Sequence, residues 1–114
     1  MTEKKFQELL DYVIENHIKG KMCSKSAEYS RGDDKLHNFY RAAEIDRISP
    51  EEALRGMDLK HRTSISDMLD DLAFGIDCPK EVWLEKITDD INYKLLLLGL
   101  LYERYGWTLN GGKY

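Results

Sequence analysis

The sequence predicts an all-α protein folded as one four-helix bundle, and three observations predict it. The 114 residues are 42% hydrophobic and 33% charged, with only 2 prolines and 8 glycines, which is typical of an ordered, helix-rich domain. Apolar residues recur at intervals of three and four in four segments. No segment alternates apolar and polar residues as a half-buried strand does. We expect a single domain, with a core over about residues 2–106 and a short tail over 107–114.

The first helix is predicted from Thr2 to about Ile18, and Gly20 is expected to end it. Its apolar face consists of residues at helical spacing, namely Phe6, Leu9, Leu10, Val13 and Ile14. The small and polar residues of 20–33 then predict a long connection. A loop of that length inside a compact domain is more often functional than idle.

The second helix is predicted from about Asp34 to Asp46, with an apolar face made of Leu36, Phe39, Tyr40 and Ala43. The third is predicted over roughly residues 50–74, because Ser49 can cap it and Glu52 completes a capping box. Its predicted core residues are Met57, Ile65, Met68 and Leu72. Gly75 is expected to end this helix.

The last helix is predicted over roughly residues 79–105, ending at Gly106. Its predicted core face consists of Leu84, Ile87, Ile91, Leu95 and Leu98, while Trp83 and Tyr93 are expected to point away from that face. The segment Leu95–Tyr102 has apolar residues on several sides, more than one neighbouring helix can bury. We therefore expect a homo-oligomer, and specifically a dimer, that uses this helix.

Composition also excludes several classes of protein. The net charge of −4 argues against general nucleic-acid binding, which normally needs a basic face. The longest apolar run, Leu95–Tyr102, is too short to span a bilayer, and the charged first 17 residues do not resemble a signal peptide. Cys23 and Cys78 could pair, but we expect reduced thiols in a cytoplasmic protein. They do not form a zinc pattern.

Polar side chains follow one flank of each long helix. On the third helix Lys60, Ser64 and Asp67 fall within a wedge of roughly 60°, and on the last helix Glu85, Asp89 and Asn92 do the same. One interpretation is a pair of solvated flanks, whose side-chain pairs contribute only a few tenths of a kcal/mol each. The other is a cleft beside the core, and these two interpretations stay open.

Within such a cleft, Asp67, Glu85 and Asp89 are candidate ligands for Mg²⁺, which prefers oxygen ligands. His61 lies on the apolar side of the third helix, where a histidine is either a satisfied, half-buried residue or a ligand contact.

The start of the second helix carries more polar groups than a cap needs. Lys35 and a helix N-terminus favour phosphate, whereas Asn38 can bond a base or a ribose. With Asp34, these residues form either a solvated helix end or one wall of a site. We predict that they meet the flanks of the two long helices, at Lys60, Ser64, Glu85 and Asp89, across one polar cleft.

Three segments, "KSAEYSRGDDKLHNFYRAAE", "SPEEALRGMDLKHRTSISDML" and "WLEKITDDINYKLLLLGLLYE", resemble a group of small helical phage and prophage proteins. The last is also similar to all-α nucleoside triphosphate pyrophosphohydrolases of the MazG type and to phage nucleotide-modification-associated domains. In MazG-type enzymes an E-x-x-E helix and an E-x-x-D helix hold Mg²⁺ around substrate phosphates. Asp89 matches the final acid, but Lys86 stands three positions before it, and the nearest acid is Glu85.

The resemblance implies that the polar residues inside its blocks, Asp34, Lys35, Asn38, Lys60, His61, Ser64 and Asn92, contact a ligand. Two functions stay open. The first is a nucleotide-handling phage protein, such as a Mg²⁺-dependent hydrolase. The second is a non-enzymatic accessory protein in the bacterial host, which inhibits a defence system by sequestering a nucleotide or by docking on a host protein.

Overall fold

The structure, a computed structural model, describes residues 1–24, 31–32 and 34–110. Much of the predicted connection over 20–33 lies outside these ranges. For Cys23 the structure describes the backbone and not the side chain. Within them, Cys78 is a free cysteine.

Most of the described residues are helical and none lies in a strand, so the prediction of an all-α fold is confirmed. An isolated bridge pairs Arg31 with Asp34. No helix in the described part is long and apolar enough to cross a membrane. The elements, in chain order, are α1 (Glu3–Val13), a π-helical segment (Ile14–Lys19), α2 (Gly20–Ser24), α3 (His37–Asp46), α4 (Pro50–Ala73) and α5 (Lys80–Tyr105).

The prediction that the first helix ends at Gly20 is wrong. Gly20 has right-handed helical angles (φ −60°, ψ −48°), and the helix continues as α2 to Ser24. Glycine inside a helix costs only about 1 kcal/mol, and the next residue, Lys21, makes contacts with α5. The π-helical segment precedes this glycine, and its wider turn shifts the following residues by about one position relative to an α-helix.

The ends of α4 and α5 match the prediction closely, whereas α3 begins at His37, three residues after the predicted start at Asp34. Ser49 Oγ accepts a hydrogen bond from the Glu52 N–H at 3.1 Å, as a capping serine does. After α4 and α5 the chain turns at Gly75 (φ 81°) and Gly106 (φ 64°), angles that glycine adopts without steric cost.

The chain divides into two compact units. Unit 1 comprises Met1–Lys25 and Lys60–Asn92, and unit 2 comprises Ser26–Leu59 and Tyr93–Tyr114. Both α4 and α5 contribute to each unit, so two of the boundaries fall inside helices. The single-domain organisation expected from sequence stays a prediction.

The apolar core of unit 2 joins α3 to one part each of α4 and α5, and its buried residues are Leu36, Phe39, Ala43, Ala53, Leu54, Leu96 and Leu100. Gly99 packs beside Leu36, where a Cβ would lie 3.6 Å from Leu36 Cδ1, an ordinary van der Waals distance. Tyr93, expected to point outward, instead makes an edge-to-face contact with Phe39 at 6.4 Å between ring centroids.

The predicted core face of α5 is wrong. Ile87, Leu95 and Leu98 are exposed, and the buried positions of the helix are Thr88, Asp89, Asn92, Leu96 and Leu100. Leucines occur on every side of residues 95–101, so spacing alone cannot single out the buried face.

The predicted core face of α4 is also only partly right. Met68 is buried, but Met57 and Leu72 are exposed, and the helix buries Asp58 and His61. Apolar spacing cannot reveal a buried face that carries polar residues.

Unit 2 also contains ion pairs between its helices. Lys94 Nζ lies 2.8 Å from Oδ2 of the buried Asp58, which compensates the buried charge. Arg104 donates from two nitrogens to the two carboxylate oxygens of Glu51. This hydrogen bonding holds the pKa of Glu51 below its usual range and raises that of Arg104.

We predict that Glu51→Gln makes the protein less sensitive to acid. Because the folded-state pKa of Glu51 is lowered, its stabilising contribution is complete above the unfolded pKa of about 4.3. The contribution is lost as the pH falls through the folded pKa. Melting temperatures measured between pH 6 and pH 3 should therefore fall more steeply for the wild type than for the variant. Glu44→Gln, at an exposed position of α3, is the control, and parallel curves for the wild type and Glu51→Gln would contradict the prediction.

Candidate functional site

Unit 1 contains a group of polar side chains where a core would normally be apolar. Among its described residues, the buried ones are Met68 and four polar residues, His61, Thr88, Asp89 and Asn92. With Lys21 from α2, whose side chain is only 20% exposed, these four residues form what we call the polar cluster. Polar groups are buried at a cost unless they are bonded, so their contacts determine what the cluster can do.

Lys21 connects α2 to α5. Its Nζ donates to Thr88 Oγ1 at 2.9 Å, to Asp89 Oδ1 at 3.3 Å and to the Glu85 carbonyl oxygen at 3.4 Å. These three acceptors match the three N–H donors of an ammonium group. Asp89 supplies the opposite charge, with its own side chain 6% exposed.

Thr88 is oriented by its own helix. Its hydroxyl donates to the Leu84 carbonyl one turn earlier, a common arrangement for threonine inside a helix. The remaining lone pairs of Oγ1 can then accept from Lys21.

His61 reaches the cluster from α4. Its Nδ1 lies 3.8 Å from Asp89 Oδ2, which is too long for a hydrogen bond but close enough for an ion pair when the ring is protonated. With a neutral His61 the charges of Lys21 and Asp89 cancel, and a protonated His61 gives the cluster a net charge of +1.

Asn92 has incomplete hydrogen bonding. Its Oδ1 is buried, and no donor among the described residues reaches it. Leaving a buried acceptor unbonded costs about 1–3 kcal/mol, and such atoms in a native protein call for an explanation. A ligand that brings an N–H or O–H group would supply the missing bond.

The structure buries three of the predicted site residues in unit 1, His61, Asp89 and Asn92, and it brings His61 within 3.8 Å of Asp89. The other predicted positions of α4 and α5 stay at the surface: Lys60, Asp67 and Glu85 are exposed and Ser64 is half-buried. Glu85 contributes only its backbone carbonyl to the polar cluster.

Lys21 and Thr88 were missed by the sequence analysis. Lys21 falls in the segment interpreted as a connection, and no local pattern marked it. Thr88 could have been found, because it lies one turn before Asn92 on the flank that was singled out.

The polar helix start around Asp34 belongs to unit 2. Asp34 Oδ1 accepts from the Leu36 N–H at 3.0 Å, and two backbone hydrogen bonds join Asp34 to Arg31. Asp34 therefore stabilises a local turn just before α3. Lys35 and Asn38 are half-buried. Their predicted meeting with Lys60, Ser64, Glu85 and Asp89 across one cleft stays a prediction.

The residues expected to bind Mg²⁺ do not form a ligand set in the part of the chain described. No group of three or more His, Cys, Asp or Glu side chains there could hold a metal ion. Asp67 and Glu85 are exposed, while Asp89 is already neutralised by Lys21.

No protein-family model, curated protein or solved structure matches this chain. The resemblance to phage nucleotide-handling proteins therefore stays a prediction.

We predict that Asp89→Asn destabilises the protein by about 2–3 kcal/mol, because it leaves the ammonium of Lys21 without a counter-charge in a largely buried place. Such a loss corresponds to a melting temperature lower by roughly 10 °C. Thermal unfolding followed by circular dichroism measures this change. Glu85→Gln, one turn away and exposed, should change stability by less than about 0.5 kcal/mol. Equal melting temperatures for Asp89→Asn and the wild type would show that the ion pair contributes little.

Proposed function

We propose that this protein binds a nucleotide, or another phosphate-bearing small molecule, at the polar cluster and sequesters it without converting it. The observation that carries the proposal is the buried Oδ1 of Asn92, which no described donor reaches. In native proteins such an atom is explained by strain, by a catalytic role or by a bound water, ion or ligand, and we infer a ligand here.

The chemistry of the cluster supports a nucleotide. An asparagine amide offers an acceptor beside a donor, the pattern that pairs with the N6 and N7 edge of adenine. With His61 protonated, the cluster carries the net charge of +1 described above, which suits a phosphate. Lys21 is also the member of the cluster that keeps some contact with solvent, so an anion can approach it.

The same contacts favour binding over hydrolysis. Mg²⁺-dependent attack on a phosphate needs a ligand set that holds the metal against the phosphates. The described residues offer no such group, and Asp89 would have to leave Lys21 to become a ligand. Hydrolysis of a nucleotide with Mg²⁺, which the resemblance implies, is therefore the alternative to be tested.

The resemblance implies a phage protein in a bacterial cell, where sequestering a nucleotide would benefit the phage. A protein that holds a nucleotide tightly lowers its free concentration, so a host defence system that depends on this nucleotide would receive less of it. Inhibition of host defence by nucleotide capture is the biological role that we propose.

We predict that nucleotides raise the melting temperature of the wild type, with adenine nucleotides raising it most. A ligand at 100 times its dissociation constant stabilises the folded state by about 2.7 kcal/mol. The screen should be run with Mg²⁺ and with a chelator, and we expect binding in both. Release of phosphate or pyrophosphate measured in the same samples should stay at the background rate.

We predict that Asn92→Leu separates binding from stability. The substitution removes an unbonded buried acceptor, so the ligand-free variant should unfold at a temperature about 4 °C higher, corresponding to about 1 kcal/mol. Calorimetric titration should show at least tenfold weaker nucleotide binding, which corresponds to a loss of about 1.4 kcal/mol. Asn110→Leu, the same change at an exposed position, should alter neither quantity.

The proposal fails if no nucleotide stabilises the wild type at millimolar concentration. It also fails if Mg²⁺-dependent product release occurs and is lost in Asp89→Asn, since that result would establish the hydrolase.

A further inference from the structure

Helix α1 leaves its apolar face uncovered. Phe6, Leu9 and Leu10 lie on one side of the helix and are 55%, 42% and 40% exposed, and none of its residues is buried. An isolated helix of this length is only marginally stable in water, and most stable helices gain their stability by packing such a face against a neighbour.

The C-terminal end of α4, in the same unit, presents a second uncovered apolar surface. Leu69 and Leu72 are 52% and 48% exposed, and Phe74 directly after the helix is 85% exposed. Large exposed apolar patches on soluble proteins often mark interaction sites.

The charges around these two surfaces are complementary. Exposed Asp70 and Asp71 lie in the last turns of α4, where no basic residue is present. Negative charge is unfavourable at the C-terminal end of a helix dipole. Exposed Lys4 and Lys5 lie at the N-terminal end of α1, where positive charge is equally unfavourable. Each end therefore carries the charge that the other end needs.

We propose that two copies of this chain associate through these surfaces, with α1 of each copy packing on the C-terminal end of α4 of the other. Two-fold symmetry makes the contact twice. A single contact would bury a small area, and the second doubles it toward the roughly 800 Å² per partner of a stable interface. The apolar faces then supply the contact area, and the lysine–aspartate pairs fix its orientation.

A second copy fits this face better than a lipid surface does. Helices that lie on membranes usually carry many lysines and arginines on their polar side, whereas the charged residues of α1 are three acids and two lysines, Glu3, Glu8, Asp11, Lys4 and Lys5. The proposed interface also differs from the α5 surface that the sequence analysis favoured for a dimer.

Charge reversal tests the interface directly. One variant combines Lys4→Glu with Lys5→Glu, and the other combines Asp70→Lys with Asp71→Lys. Each change places the favourable charge at its helix end, so both variants should stay folded. When all proteins are measured as monomers at high dilution, the melting temperatures of the variants should be at least as high as that of the wild type. In sedimentation velocity at high micromolar concentration the wild type should be a dimer, and each variant alone should be a monomer.

An equimolar mixture of the two variants should form the dimer again, because one contact then pairs glutamate with lysine and the other keeps the native lysine–aspartate pairing. Leu98→Glu is the control, since it removes an exposed leucine of α5 outside the proposed interface, and it should stay dimeric. A monomeric wild type, variants that dimerise as well as the wild type, a mixture that stays monomeric, or a monomeric Leu98→Glu would each overturn the proposal.

Discussion

The contact between Lys21 and Asp89 is the constraint on which unit 1 depends. It joins the end of the first helical region to α5, 68 residues later in the chain, and it makes a buried carboxylate tolerable. Without the ammonium group, Asp89 would lie buried beside His61 and Asn92 with no full counter-charge, a situation that costs several kcal/mol. The continuation of the helix through Gly20 follows from this contact, since it carries Lys21 to its acceptors.

Units 1 and 2 are stabilised by different means. Unit 2 has an apolar core around Phe39, Leu54 and Leu100, supported by the ion pair between Asp58 and Lys94. The described part of unit 1 buries mainly polar residues and leaves the apolar face of α1 in water. Apolar residues in place of buried ion pairs are often neutral or stabilising, so stability alone does not account for the polar cluster. The arrangement favours a binding role for the cluster and an interface role for α1.

The sequence was informative where local chemistry decides the outcome. Ser49, Gly75 and Gly106 mark helix ends by capping and turn preferences that need no tertiary contact, and the all-α class follows from spacing. The sequence was misleading where tertiary contacts decide the structure. Gly20 predicts an end that the bonds of Lys21 override, and the leucines of residues 95–101 conceal the buried face of α5. His61, Asp89 and Asn92 were found because they share flanks, whereas Lys21 could not be found without the fold.

The most direct test of the account is to follow the side-chain amide of Asn92 by nuclear magnetic resonance while a nucleotide is added. If the polar cluster is a binding site, the amide signal of Asn92 should shift saturably and should be among the largest shifts in the spectrum. The side-chain amide of Asn110 should stay in place. Saturable shifts elsewhere in the protein with an unmoved Asn92 amide would show that the cluster is an internal ion-pair network and that the ligand binds at another site.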